Sequence, residues 1–120
     1  MPIKNLEPKN PLNAAFDGKD FEIIDEIYQF TPDTALPTER KFLLVLDVDK
    51  MKNADKGNRK QQGPYPVSWV STYGKGRTFY CSLGHREEIY WNPMILKHYL
   101  AGIQYVLGDL EAEATPTTPK

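Results

Sequence analysis

The feature that most constrains the fold is the apolar run KFLLVLDV at residues 41–48. A continuous apolar run of this length predicts a β-strand that is buried on both faces, as in a layered α/β sheet. A short core helix is the alternative, but the run is short for a helix. A strand of this kind needs a further layer on each side, so the rest of the chain, or a partner, has to supply two layers.

Residues 66–83, PVSWVSTYGKGRTFYCSL, form the clearest local pattern in the chain. Two β-rich runs flank a Tyr-Gly-Lys-Gly turn, which is typical of an antiparallel hairpin. In the second run the side chains of Phe79, Cys81 and Leu83 share one face. Cys81 is therefore predicted to be a small buried hydrophobe and a poor nucleophile.

Residues 92–107 predict the C-terminal helix. Asn92 is a good N-cap residue, Pro93 suits the first helical position, and Gly108 suits the position after the last turn. Gly102 in the helix interior indicates a close approach to the sheet. Apolar residues recur at helical spacing and predict a single apolar face, made of Ile95, Leu96, Tyr99, Leu100, Ile103, Val106 and Leu107.

The remaining segments are less regular. Residues 21–30, FEIIDEIYQF, predict a strand, whereas the Pro-rich residues 1–19 predict irregular structure. The polar residues 47–66 are long for a structureless loop, which indicates either a functional flap or a disordered segment. We predict one domain over residues 1–109, followed by a disordered Pro/Thr-rich tail over residues 110–120.

The composition argues against several function classes. The 120 residues carry a net charge of −1, so no basic excess favours binding to nucleic acid or to an anionic membrane. No apolar run reaches the length of a membrane-spanning helix, and no signal peptide is visible, so a cytoplasmic location is the default expectation. The single Cys81 excludes an internal disulfide. Because no metal, nucleotide or nucleophile motif is present, we expect no cofactor and no metal.

The first candidate for chemistry is His85, which follows the hairpin in the stretch SLGHREE. A neutral imidazole is the commonest general base near pH 7, and a carboxylate such as Glu87 or Glu88 can orient it and stabilise its charged form. Ligand sites of α/β sheets lie just past the ends of strands. The alternative is a solvent-exposed charged turn. His98, in the middle of the helix, is predicted to be a surface or half-buried residue outside the site.

Asp25 and Glu26 are the second candidate, because two carboxylates within an apolar strand need partners. In the functional interpretation Glu26 is an acid–base group or an acceptor for sugar hydroxyls. The alternatives are a strand end at the solvent edge and a structural ion pair with Arg77 or Arg86.

Aromatic side chains are the third candidate. Sugar rings present apolar C–H faces and a rim of hydroxyls, so aromatic faces near carboxylates suit them. The alternative is core and cross-strand packing, which is favoured for most members of the set. The set comprises Tyr28, Tyr65, Trp69, Tyr73, Tyr80, Tyr90 and Trp91.

Three segments of the chain resemble ThuA-like domains, the trehalose-utilisation family. They are DEIYQF, YPVSWVSTYGKGRTFYCSLGHREE and NPMILKHYLAGIQYVLG, and the resemblance covers roughly residues 10–108. The family typically carries Pro-Val-x-Trp and then a Tyr-Gly-x-Gly-Arg hairpin that runs into Ser-Leu-Gly-His. One departure is Asn10, which precedes Pro-Leu where the family often has a histidine.

The resemblance implies a partial flavodoxin-like fold, similar to that of class I glutamine amidotransferases. This is a layered α/β sheet with an antiparallel hairpin at about residues 66–83 and a C-terminal helix at about residues 92–107. In those enzymes a His-x-Glu sequence completes a triad with a cysteine, and His85-Arg86-Glu87 has this spacing. ThuA-like domains generally lack that cysteine, so glutamine amidotransferase activity is not expected.

The resemblance also implies a role in bacterial disaccharide breakdown, with 3-keto sugars as suggested intermediates. His85 is then the expected acid–base catalyst, Glu87 its orienting partner and Glu26 a second catalytic group. The expected substrate-binding residues are Asp25, Tyr28, Trp69 and Arg86. The alternative function is that of a non-catalytic half-domain, which binds a sugar or a partner chain.

The strands and helices that come first in the family have no counterpart in this chain, which is expected to be a fragment, a split-gene product or a short variant. This agrees with the observation that one helix cannot cover both faces of a sheet. Besides a sugar ligand, the expected partner is a second copy in a homodimer or another chain, which covers the exposed sheet. Neither a nucleic acid nor a membrane is expected as a partner.

Overall fold

The computed structural model describes residues 1–28, 30, 35–51 and 64–118. Their strands form one sheet in the order β2-β1-β3-β4-β5, and every neighbouring pair is antiparallel. The strands are β1 Pro2–Asn5, β2 Phe21–Glu22, β3 Lys41–Leu46, β4 Pro66–Tyr73 and β5 Gly76–Cys81. In this part of the chain one α-helix, α1, spans Pro93–Val106, and short 3₁₀ helices span Pro11–Phe16, Val48–Lys50 and Glu87–Trp91. The expected α/β class, with its hairpin and C-terminal helix, is confirmed.

Strand β3 is buried along its whole length, as its apolar sequence predicts. Leu43, Leu44 and Leu46 belong to the main core, which α1 and the 3₁₀ helix Pro11–Phe16 help to enclose. Phe42 and Val45 face a second, smaller core with Trp69, against which Leu6, Phe30 and Ala35 also pack. Both layers around β3 therefore come from the chain itself.

The hairpin lies where the sequence places it. Strands β4 and β5 pair from Ser68 with Cys81 to Tyr73 with Gly76, so a two-residue turn joins them. Gly74 opens this turn with a φ of 59°, a conformation that glycine adopts at little cost.

The start of helix α1 and its contact with the sheet also agree with the sequence. The Asn92 side chain accepts a hydrogen bond from the Met94 amide at 3.0 Å, and Pro93 occupies the first helical position. A Cβ atom on Gly102 would lie 2.4 Å from the Phe79 ring, so only glycine allows the helix to approach β5 this closely. The close approach predicted from Gly102 is confirmed.

The prediction of a single apolar face on α1 is wrong. The buried side of the helix consists of Ile95, His98, Gly102 and Tyr105. On the opposite side Leu96, Leu100, Ile103 and Leu107 are all exposed. Helical spacing correctly shows that apolar residues recur along the helix, but most of them lie on the side that the sheet does not cover. The reason is that the contact with Phe79 requires Gly102 to face the sheet.

The predicted strand at residues 21–30 is also wrong in its length, because only Phe21–Glu22 pairs with β1. Beyond it Ile23 and Ile27 are still buried in the main core, and Asp25 is buried between them. Ile23 still exchanges backbone hydrogen bonds with Met1, and further along the segment the Asp25 carboxylate accepts from backbone amides of a distant turn.

The segment after α1 lies against the rest of the protein. The Asn10 side chain donates to the Glu113 carbonyl at 3.0 Å, and the Phe42 amide donates to Thr117 Oγ1 at 2.7 Å. Arg77 forms an ion pair with Glu111 at 2.9 Å. These contacts differ from the disorder that the composition of this tail predicts. Most of the predicted flap, residues 52–63, lies outside the described residues.

Candidate functional site

The turn that follows β5 is held in place by a buried carboxylate. The Gly84 amide donates to Asp25 Oδ2 at 2.7 Å, and the Arg86 amide donates to Asp25 Oδ1 at 3.0 Å. Each oxygen of one side chain thus accepts a backbone hydrogen bond, and bonds of this kind to a charged group are among the stronger ones in proteins. Asp25 was expected to bind substrate, but the structure places it beneath the turn, where it shapes the backbone.

Two tyrosines hold the same turn from the other side. Tyr90 Oη donates to the Gly84 carbonyl at 2.9 Å, and Tyr99 Oη donates to the Leu83 carbonyl. Burial raises the pKa of Tyr99, so its phenol keeps the proton that it donates. Gly84 has a φ of 132°, and a Cβ atom there would lie 2.6 Å from Tyr90 Oη. The turn therefore requires glycine both for its conformation and for its packing.

His85 projects from this turn and meets Glu26. The distance between His85 Nδ1 and Glu26 Oε2 is 3.2 Å, and the two side chains are 59% and 58% exposed. Glu26 directly follows Asp25, so the bonds that Asp25 makes to the turn also bring Glu26 next to the imidazole. The pair lies at the surface, where a ligand can reach it.

The carboxylate beside His85 is thus Glu26, whereas the His-x-Glu spacing had suggested Glu87 as the orienting group. Glu87 lies at the start of the 3₁₀ helix Glu87–Trp91 and is exposed. Arg86 is also at the surface, with its Nε 3.5 Å from Glu88 Oε2. A hydrogen bond to its own backbone and the neighbouring Arg86 lower the pKa of Glu88. Arg86 therefore contributes its amide to Asp25 and its guanidinium to Glu88.

The two aromatic residues proposed to line the site differ in access. Trp69 is only 7% exposed, because it stacks on Tyr80 with ring centroids 4.1 Å apart and Arg40 lies over it at 5.3 Å. Burial, followed by the proximity of Tyr28, raises the pKa of Tyr80, so Tyr28 lies near this cluster. Tyr28 is itself exposed and lies two residues after Glu26. Of these two residues, Tyr28 is therefore accessible to a ligand, whereas Trp69 is buried.

A buried polar pair lies elsewhere in the structure, and sequence reasoning missed it. His98 and Ser68 are completely buried, and His98 Nε2 lies 2.8 Å from Ser68 Oγ. His98 Nδ1 lies 2.8 Å from the Leu12 carbonyl, which can only accept, so Nδ1 carries the proton of the neutral ring. The single hydroxyl proton of Ser68 is therefore shared between two acceptors, His98 Nε2 and the Tyr80 carbonyl at 2.9 Å. Burial lowers the pKa of His98 to about 4. The expectation of a surface or half-buried His98 is wrong, because this side of α1 faces the sheet.

Two further residues, Asn10 and Cys81, are part of the fold rather than of the candidate site. Asn10, where the family often has a histidine, caps the 3₁₀ helix Pro11–Phe16 by accepting from the Leu12 amide at 3.0 Å. Burial raises the pKa of the Cys81 thiol to about 11, so the thiol is protonated at neutral pH and is a poor nucleophile.

Within the described ranges, no group of three or more His, Cys, Asp or Glu side chains is arranged to hold a metal ion. In the same part of the chain, no helix is both long and apolar enough to cross a membrane. What the structure brings together is His85, Glu26 and the turn held by Asp25. Glu87 is exposed at the start of the 3₁₀ helix Glu87–Trp91, and Trp69 is buried in the second core.

A model of the ThuA family, described as trehalose utilisation, matches residues 2–106. The match includes both partners of the His85–Glu26 pair and the buried Asp25. No match was found among curated proteins or among solved structures.

Proposed function

The chain belongs to the ThuA family of trehalose utilisation, and on this premise we propose that it binds a sugar derivative at His85 and exchanges a proton with it. The observation that supports this proposal is the contact of 3.2 Å between His85 Nδ1 and Glu26 Oε2. The contact occupies Nδ1, and in this proposal Nε2 is the ring nitrogen that meets the ligand. A carboxylate on Nδ1 fixes the tautomer that has a basic Nε2 and stabilises the imidazolium that forms when Nε2 takes a proton.

The surroundings of the pair suit a carbohydrate. Glu26 has a second oxygen that can accept a hydrogen bond from a sugar hydroxyl, and Tyr28 supplies an accessible aromatic face for the C–H side of a ring. A 3-keto disaccharide would offer His85 an acidic proton next to its carbonyl group. Proton abstraction from that carbon, followed by return of the proton, is a reaction that one imidazole can carry out without a nucleophile or a metal.

The second candidate function is binding without chemistry. It is favoured by the exposure of the site, because His85 and Glu26 are each more than half accessible to water. General acid–base catalysis gains from the exclusion of water, and an open site gives little of that advantage. In this case the domain recognises a sugar, and the imidazole acts only as a hydrogen-bonding group.

Trehalose and 3-keto-trehalose are the probes that test the proposal. Binding is followed by amide chemical shifts in NMR spectra and by calorimetry, and turnover by mass spectrometry and exchange of solvent deuterium into the sugar. We expect His85→Gln to abolish exchange and to weaken binding about tenfold, a loss of one good hydrogen bond. Glu88→Gln is the matched control, because it removes a charge close to the turn from a side chain that pairs with Arg86.

Each outcome decides between the candidates. Exchange that disappears in His85→Gln but persists in Glu88→Gln supports catalysis. Binding without any exchange in the unmodified protein supports the binding module and overturns the catalytic role. If neither sugar binds, or if His85→Gln binds and exchanges as well as the unmodified protein, the assignment of this site is wrong.

A further inference from the structure

The outer side of α1 carries an uninterrupted apolar stripe. Leu96, Leu100, Ile103 and Leu107 are 42%, 53%, 53% and 70% exposed. They lie opposite the buried side of the helix, which is made of Ile95, His98, Gly102 and Tyr105. Isolated apolar residues are normal at protein surfaces, but a contiguous apolar stripe marks an interaction surface.

The spacing of the stripe is that of a helix that packs against another helix. The intervals between Leu96, Leu100, Ile103 and Leu107 are four, three and four residues, which are the core positions of a heptad repeat. The two flanks of the stripe differ in polarity. On one flank Lys97 and Gln104 are exposed and polar, and on the other lie Tyr99 and Val106.

We propose that a second copy of this chain packs on this stripe, with the two α1 helices antiparallel. In an antiparallel pair related by a twofold axis, each flank meets the same flank of the other copy. The apolar flank then meets an apolar flank, and Lys97 faces the side-chain amide of Gln104 of the second copy. A parallel pair would instead place Lys97 against the apolar flank with Tyr99 and Val106. The antiparallel arrangement also opposes the two helix dipoles favourably.

The size of the stripe sets the strength of the association. From Leu96 to Leu107 the stripe is about 16 Å long, at 1.5 Å per residue. One helix pair of this length lies at the low end of specific interfaces, below about 1,200 Å² in total, where weak and transient complexes are found. We therefore expect a reversible dimer with a dissociation constant in the micromolar range.

This inference is independent of the proposed function, because the stripe residues are not members of the His85–Glu26 pair. It also differs from the expectation that a partner covers the sheet. Both sides of β3 are buried by the chain itself, whereas the outer side of α1 carries a run of exposed apolar side chains.

Sedimentation equilibrium from about 10 µM to about 1 mM tests the association directly. We expect the unmodified protein to shift from monomer to dimer over this range, and Leu100→Lys and Ile103→Lys each to weaken the dimer at least tenfold. Tyr73→Lys is the matched control, since Tyr73 is 85% exposed on the hairpin and lies outside the stripe. Circular dichroism confirms that each variant is folded. A protein that is monomeric at the highest concentration overturns the proposal, as does a dimer that neither stripe variant weakens.

Cysteine cross-linking tests the orientation in a Cys81→Ala background. In the antiparallel pair, Leu96 of one copy faces Leu107 of the other, whereas the two copies of Leu96 are about 16 Å apart along the axis. A disulfide needs Cα atoms within about 7 Å. We expect Leu96→Cys and Leu107→Cys to cross-link when mixed and neither to cross-link alone. Cross-linking of Leu96→Cys with itself would show a parallel pair and overturn the proposed arrangement.

Discussion

The two histidines of the chain have opposite surroundings. His85 stands on an exposed turn, 3.2 Å from the carboxylate of Glu26, and water reaches more than half of its side chain. His98 is completely buried, its two nitrogens 2.8 Å from Ser68 and from the Leu12 carbonyl. The imidazole of His85 is thus available to a ligand, whereas the imidazole of His98 makes hydrogen bonds inside the core. A histidine in hydrogen-bond contact with a serine is not in itself evidence of catalysis, because no substrate can reach a buried pair.

The strongest test of this contrast is removal of each ring. We expect His98→Ala to lower the free energy of unfolding by about 3 kcal/mol, because it leaves a cavity and removes one hydrogen bond each from the buried Ser68 hydroxyl and the Leu12 carbonyl. His85→Ala is expected to change it by less than about 0.5 kcal/mol, as is usual for an exposed side chain. Urea denaturation measures both values. Equal losses for the two variants would show that the contrast is wrong.

The pH dependence of stability sharpens the same contrast. Burial lowers the pKa of folded His98 to about 4 from an ordinary 6.5, so the unfolded chain binds a proton between these values and the folded chain does not. Well above pH 6.5 the ring is neutral in both states and contributes no pH dependence. As the pH falls from 6.5 towards 4, stability is lost, and the expected loss at pH 5 is about 2 kcal/mol.

Urea denaturation at pH 7 and pH 5 measures this loss. His98→Gln is expected to remove it, since glutamine does not titrate in this range, whereas His85→Gln is expected to retain it. If the unmodified protein and His98→Gln lose equal stability between pH 7 and pH 5, the pH dependence has another origin.

The third prediction concerns the Asp25 carboxylate, whose two oxygens hold the turn that carries His85. We expect Asp25→Asn to lower the free energy of unfolding by about 1–2 kcal/mol, because the amide keeps one acceptor oxygen and loses the charged one. The turn should loosen, so amide hydrogen exchange at Gly84 and Arg86 should become faster. Glu26→Gln makes the same chemical change one residue away and serves as control for stability and exchange. Unchanged amide hydrogen exchange in Asp25→Asn would contradict the role of Asp25 in holding this turn.

The smallest effect on stability is expected at the exposed pair. Glu26→Gln should change the free energy of unfolding by less than about 0.5 kcal/mol, since exposed ion pairs contribute little. It should nevertheless weaken sugar binding, and Glu87→Gln should not. Calorimetric titration of the two variants with the same sugar compares them directly. A larger loss of affinity in Glu87→Gln would restore Glu87 as the partner of His85.

Much of the fold could be predicted from local patterns. The apolar run at residues 41–48 predicted the buried strand, and the Tyr-Gly-Lys-Gly turn predicted the hairpin, because both depend on neighbouring residues. Asn92 and Pro93 marked the start of α1 for the same reason. The strand predicted at residues 21–30 was too long, because its alternating pattern reflects alternate burial along the chain and not pairing with another strand.

The candidate site was predictable only in part. The glycine before His85 and the family motif pointed to the turn, but its geometry depends on Asp25, which is about 60 residues away along the chain. No local pattern specifies which carboxylate reaches a given imidazole. Glu87 has the family spacing, whereas Glu26 arrives through the packing of a separate segment.

The sequence by itself determined the elements that neighbouring residues specify: the buried strand β3, the hairpin and the capped helix α1. The tertiary structure alone decided which side of α1 faces the sheet, which histidine is buried and which carboxylate meets His85. Helical spacing is compatible with burial of either side of α1. The buried side is the one on which Gly102 leaves room for the Phe79 ring. Contacts of this kind join residues far apart in the chain, so their geometry exists only once the sheet and the helix have packed.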